Sequence, residues 1–253
     1  TDIDPDYAPA HAAIAFCSYL LYMWFGQSET DRLEADRASR MAVERAPELA
    51  ESHVARGLAE ALAERFEQAE EALETAIRLN PNLYESNFFY ARVCFMQGKL
   101  EQAAELFERA ADIDPQDYRS MLLLALVVKG LGRAREARER YREALARAKR
   151  HLELNPDDVR AVYFGGAALI YLDEREEGLA WTERALAMEP EDPFVIWCSA
   201  CNYAAAGERE RALDCLEKAV ALGIANRRWI EHDPDMQPLH GHPRYQALLQ
   251  TMP

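Results

Sequence analysis

The chain has 253 residues, 49% hydrophobic and 29% charged, with 11 glycines and a net charge of −15. This composition excludes a disordered chain, and the excess of acid argues against nucleic-acid binding, which needs cations to neutralise phosphates. Five cysteines, an odd number, do not make a disulfide framework and point to a reducing, cytoplasmic setting.

Alanine, leucine, glutamate and arginine dominate, and all are strong helix formers. No sustained apolar–polar alternation marks a sheet, so the expected fold class is all-α. Thr1-Asp2-Ile3-Asp4-Pro5 resembles the end of a helix, so residues 1–7 are expected to be the tail of a repeat that begins further upstream. A first helix follows that is apolar nearly all round between Ala12 and Phe25. It is too short to span a bilayer, which takes about 20 apolar residues. A helix of this kind is buried on several sides. The expected cover is either an upstream repeat or a second copy of the chain, with Tyr22, Trp24 and Phe25 as candidate self-association residues.

Beyond that helix, proline sets a period. Pro81 and Pro115 are 34 residues apart, as are Pro156 and Pro190. Each ends a helical pattern, because the residue before proline is pushed out of the α region. Three small positions keep the same register. One recurs in the first helix of each unit (Ala15, Gly57, Ala91, Ala125, Gly166, Ala200). Two recur in the second helix (Ala35, Ala69, Ala103, Ala137, Gly178, Ala212, then Ala42, Ala76, Ala110, Ala144, Ala185, Ala219). Small residues let paired helices pack closely. Gly98, Gly132 and Gly207 fall at the turn between the two helices, where a C-cap glycine is expected.

Six units are therefore expected, at about 8–49, 50–83, 84–117, 118–158, 159–192 and 193–222. The first carries eight extra residues around Tyr22–Asp31, since Ala15 to Ala35 spans 20 against 12 from Gly57 to Ala69. The fourth carries seven late in its second helix, close to two turns, so that helix can lengthen without rotating its faces. It overlaps a basic run, Arg133–Arg150, with eight cations against three acids. The run fits a solvated outer face with i,i+4 pairs or a dock for an acidic partner. Residues 223–253 are expected to form a loop and a C-terminal helix that caps the last unit.

The period, the three small positions and the proline together resemble the tetratricopeptide repeat (TPR) family over nearly the whole chain. The family's early tryptophan position is degenerate here, holding His11, His53, Asn87, Met121, Val162 and Ile196. The resemblance implies a right-handed superhelical solenoid of about six TPR helix pairs plus a C-terminal capping helix. It also implies a non-catalytic scaffold without a cofactor, binding a protein or peptide along a concave face lined by the first helices. Mapping the pattern onto this chain gives the candidate groove: Phe16, Tyr19, Phe88, Arg92, Phe95, Met96, Arg119, Leu122, Lys129, Arg160, Tyr163, Tyr171, Phe194 and Trp197. Aromatic side chains and four cations (Arg92, Arg119, Lys129, Arg160) suit a peptide with acidic and apolar anchors. The family's carboxylate clamp is not expected, because Leu58 and Arg92 follow Gly57 and Ala91 where it would need asparagine. The opening and closing segments are similar to the C-terminal repeat regions of bacterial multidomain signalling proteins such as serine/threonine kinases and class III nucleotide cyclases. None of their catalytic motifs is present, so the implied role is a regulatory module, with self-association of an upstream signalling domain as the alternative.

Catalytic and metal chemistry are not expected. Cys198-Ser199-Ala200-Cys201 lies inside a helix with no second pair to complete a zinc site, and it is not at a helix N-terminus that would lower a thiol pKa. His240-Gly241-His242 is a lone pair in a loop, and Lys129–Arg133 is an inter-helix turn, not a phosphate loop.

Overall fold

The computed structural model describes residues 4–25, 28–224 and 227–252. Among them every regular element is helical. Six pairs run in chain order: α1 (Ala8–Trp24) with α2 (Glu29–Arg45), α3 (Ala50–Leu62) with α4 (Phe66–Leu79), α5 (Tyr84–Met96) with α6 (Leu100–Ile113), α7 (Tyr118–Gly130) with α8 (Ala134–Leu154), α9 (Val159–Tyr171) with α10 (Arg175–Met188), and α11 (Pro193–Ala205) with α12 (Arg209–Ala221). Then come α13 (Arg227–His232), a 3₁₀ turn (Gln237–Leu239) and α14 (Pro243–Thr251). Each second helix packs on its partner and on the first helix of the next pair, which makes an all-α superhelical repeat.

The crossings are close because the small positions leave no room for anything larger. Ala69, Ala103 and Ala212 are fully buried. A Cβ added at Gly57 would lie 2.6 Å from Leu73 Cγ, and one at Gly178 would lie 2.8 Å from the Gly166 carbonyl oxygen. Such packing leaves no slack for an added methyl. The turns after α5, α7 and α11 use glycine in the left-handed region (Gly98 at φ 72, Gly132 at φ 77, Gly207 at φ 83), while Glu64 and Asp173 adopt it after α3 and α9.

The extra residues lengthen helices. In the first unit, α1 and α2 have 17 residues each, against 13 and 14 in α3 and α4; Gly26 and Gln27, between them, lie outside the described residues, as do Thr1–Ile3. In the fourth, α8 has 21 residues against 14 in α6. Where the family has its early tryptophan, His11 and His53 each donate an Nε2 hydrogen bond of 2.8 Å to the Pro5 and Pro47 carbonyls, and Asn87 reaches the Pro81 carbonyl at 3.4 Å. These side chains tie the helix start to the preceding proline turn. Two tyrosines that open helices stitch neighbouring units together: Tyr84 donates to Asp117 at 2.8 Å, and Tyr118 donates to Asp158 at 3.0 Å. Asp117 and Asp158 are themselves the N-caps of α7 and α9.

The basic run on α8 is largely paired with neighbouring units. Arg133 bonds Glu101 at 2.7 Å, Arg138 bonds Asp173 at 2.5 Å, and Arg140 bonds Glu108. Arg147 is turned inward and donates to the Ala111 carbonyl in the last turn of α6, where a cation offsets the helix dipole, and to the carbonyl of Asp117, the N-cap of α7.

The C-terminal segment both closes the last pair and lines the concave face. Arg244 of α14 bonds Asp214 and Glu217 on α12 at 2.7 and 2.8 Å. Before that, residues 227–239 run back along the edge formed by the C-terminal ends of the first helices. Arg228 pairs with Glu64 at 2.8 Å, after α3. The Trp229 ring lies 4.7 Å from Phe95 on α5. A Cβ added at Gly98 would come within 3.1 Å of His232, and one at Gly130 within 3.0 Å of Pro234. Asp235 pairs with Lys129 of α7 at 3.0 Å and accepts from Tyr171 of α9. The hydrophobic reason is plain: Trp229, Ile230, Met236 and Leu239 are all buried there. Ala225 and Asn226, which lead into this segment, lie outside the described residues.

Candidate functional site

Helices α1, α5, α7, α9 and α11, with the C-terminal segment, surround a cavity of about 470 Å³. The two ends of the array meet across it, with the Trp24 and Phe194 rings 4.4 Å apart. Its wall is aromatic because successive first helices turn the same face inward: Phe16, Phe88, Phe89, Tyr163, Phe164, Phe194 and Trp197. At the end formed by the C-termini of those helices, Trp229, Asp233 and Asp235 close it. At the opposite end lie Arg119, Arg160, Glu189 and Asp192, of which Arg160 and Glu189 are exposed. The concave face is therefore a pocket lined by the C-terminal segment at one end and rimmed by charge at the other.

Arg92 is the unusual member of the wall. Its guanidinium carbon lies 4.8 Å from the centre of the Trp229 ring, 5.1 Å from Trp24, and 5.8 and 5.9 Å from Phe89 and Phe88. The side chain is buried, and its Nε and Nη2 have no hydrogen-bond partner among the described residues. Burial pushes its pKa down, working against the charge. An unpaired buried cation costs several kcal/mol, and each favourable ring contact offsets roughly 0.5–2 kcal/mol of that. The rings hold the cation; they do not satisfy its N–H donors.

The acids of the pocket are differently placed. Burial, then the neighbouring Asp235 charge, pushes the Asp233 carboxyl up to about 8. Asp235 is held by Lys129 and Tyr171, and Lys129 also donates to the Tyr171 hydroxyl at 2.6 Å. Cys201 Sγ and the two carboxylates come within 4.8 Å of one another, but Lys129 and Tyr171 already occupy Asp235. Burial pushes the Cys198 and Cys201 thiols well above their ordinary range, so neither is a ready thiolate. Asp192 caps α11 by accepting from the Phe194 and Val195 amides, each at 2.9 Å. At the mouth, burial works against the Asp117 charge, but the Arg119 cation and the Ser120 amide outweigh it and lower the pKa. Arg119 bonds Asp117 at 2.7 Å.

Of the groove residues expected from the sequence, Phe16, Phe88, Arg92, Arg119, Leu122, Arg160, Tyr163, Phe194 and Trp197 line this cavity. Tyr19 is packed behind it, with its ring 6.1 Å from Phe89. Phe95, Lys129 and Tyr171 are covered by the chain's own C-terminal segment, and Met96 is buried at the end of α5. Of the candidate self-association residues, Trp24 is turned inward at 7% exposure. Phe25 is 54% exposed and Tyr22 is half-buried. Sequence reasoning missed Phe89, Phe164, Trp229, Asp233 and Asp235. An i,i+1 look beside Phe88 and Tyr163 would have found the first two. No helical register marks the other three.

Residues 54–118 match the sequence profile of the tetratricopeptide repeat family. No curated protein matches the chain significantly. Among solved structures the chain is similar to PilF of Pseudomonas aeruginosa, at 15% identity over 96% of this chain and 98% of that one, with a TM-score of 0.55. It is also similar to a chain of the APC/C hetero-tetramer Cut9–Hcn1, at 16% identity over 87% of this chain and 45% of that one, with a TM-score of 0.58. YrrB, described as a TPR protein with an unusual peptide-binding site, aligns at 21% identity over 77% of this chain and 96% of that one, with a TM-score of 0.46. The likeness to PilF and to the APC/C chain is one of fold.

Proposed function

We propose that the protein is a non-catalytic interaction scaffold that captures a segment of a partner protein at the mouth of its concave pocket. The observation that carries this reading is the aromatic-walled pocket with Arg119 and Arg160 at one end. With residues 227–239 along one edge, an extended peptide has no continuous path across the repeats. A short segment with one apolar anchor and one acidic group is the better fit. Its apolar side chain would pack among Phe16, Phe88 and Phe194, and its acid would meet Arg160. A preformed wall keeps the ordering cost mainly on the partner. The resemblance to C-terminal repeat regions of bacterial signalling proteins supports a regulatory module within a larger bacterial protein. Five free thiols support a reducing, cytoplasmic setting. Among the described residues no helix is long and apolar enough to cross a membrane.

Peptide display tests the partner reading. Selection on the wild-type chain should enrich short sequences pairing an aromatic or aliphatic residue with Asp or Glu. An Arg160→Glu, Phe194→Ala chain should lose that enrichment at least ten-fold. Equal enrichment on both chains would refute binding at this mouth.

A second reading has its own observation. Tyr7, Leu21, Phe25 and Leu33, all in the first unit or just before it, are 46–55% exposed. Apolar residues gathered at one end of a solenoid call for a cover, and a second copy would oligomerise an attached domain. Light scattering on wild type and on Leu21→Glu, Leu33→Glu decides it. A concentration-dependent dimer lost in the variant supports self-association, and a wild-type monomer at all concentrations removes it.

A further inference from the structure

We propose that the interior of the concave cavity binds a small carboxylic acid with an aliphatic or aromatic body, its carboxylate on Arg92 and its body against the ring wall. This goes beyond partner capture at the mouth and does not depend on it. Arg92 supplies the primary observation: a residue only 8% exposed, lining the cavity, with no acid paired to it and with Nε and Nη2 lacking any hydrogen-bond partner among the described residues. Its charge, paired with no acid among the described residues, suits a carboxylate. A neutral apolar ligand would leave that charge uncompensated. A dianion such as phosphate would be opposed by Asp192 and Glu189 at the mouth and by Asp235 at the other end. The hydroxyl of Tyr19, also buried without a hydrogen-bond partner among the described residues, belongs to the shell behind the Arg92 wall. The volume, about 470 Å³, lies within the range of small-ligand pockets, roughly 300–1,000 Å³.

The test uses octanoate, octanol and inorganic phosphate as probes on the full chain. Trp24, Trp197 and Trp229 line the cavity, so their emission reports occupancy, and thermal melting gives a second readout. Octanoate should change the emission saturably and raise the melting temperature. Octanol should bind at least ten-fold more weakly, and phosphate should do neither. Arg92→Met replaces a buried charge with an apolar chain of similar length, a change that folded proteins tolerate well. It should abolish the preference for octanoate over octanol. Should that variant fail to fold, Ala167→Leu, which narrows the cavity from α9, must weaken octanoate at least ten-fold. No preference for octanoate in the wild type, or a preference that survives Arg92→Met, would overturn the proposal, as would unchanged affinity in Ala167→Leu.

Discussion

Replacing Trp229 by alanine is expected to lower the melting temperature by roughly 6–20 °C and to free residues 227–239 from the concave face. The ring is 6% exposed. It packs 4.7 Å from Phe95 and 6.0 Å from Trp24, and it lies under the Arg92 guanidinium. Truncating a buried tryptophan costs about 3–5 kcal/mol, and each kcal/mol moves the midpoint of a chain this long by about 2–4 °C. The loss falls mainly on the C-terminal segment, which the rest of the array can survive without, so far-ultraviolet circular dichroism should change little before melting. Arg92 would lose one of its four rings and gain access to water. A variant that melts like the wild type would show that the segment is not held by this contact.

Gly178→Val is expected to have a comparable but differently located effect, destabilising the fifth and sixth units by about 3 kcal/mol or more. An added Cβ would strike Ile170 Cγ1 at 2.6 Å, the Gly166 carbonyl oxygen at 2.8 Å and the Ile170 amide nitrogen at 3.0 Å. Two of these three atoms are backbone of α9, so relief requires α9 and α10 to separate. Separation would also strain the Asn202 side chain, which donates 3.0 Å hydrogen bonds to both the Tyr163 carbonyl and the Thr182 hydroxyl. In a solenoid, stability is carried between nearest neighbours. The variant should therefore unfold in two stages, with units five and six leaving first, and hydrogen exchange localised to 159–222 should resolve it. A single transition at the wild-type temperature would mean the crossing is looser than its geometry indicates.

The helical pairs were legible because their cause is local: a proline fixes where a helix stops, and a small residue fixes where two can touch. Gly57 and Gly178 could be assigned to crossings without knowing what they face. The inner face was legible for the same reason, since Phe88, Leu122, Tyr163 and Trp197 hold equivalent positions in successive first helices. What could not be read is whatever depends on distant segments meeting. Trp229 and Ile230 stand among Arg227, Arg228, Glu231, His232 and Asp233, where no apolar period marks them as core. Their burial comes from reaching back to α5, and with it Phe95, Lys129 and Tyr171 are covered. Trp24 lay in an all-round apolar helix whose inward side faces α11, five pairs later in sequence, at Phe194. The basic run on α8 looked available to an acidic partner because Glu101, Glu108 and Asp173 belong to other units.

The measurement that bears most directly on a concave face closed along one edge by its own C-terminal segment is hydrogen exchange of residues 227–239, compared with α5 and α11 in the same protein. Slow exchange there, close to that of the two helices and lost in Trp229→Ala, is the expected result. Exchange within seconds in the wild type, as in a free chain terminus, would contradict it and leave the groove open from end to end.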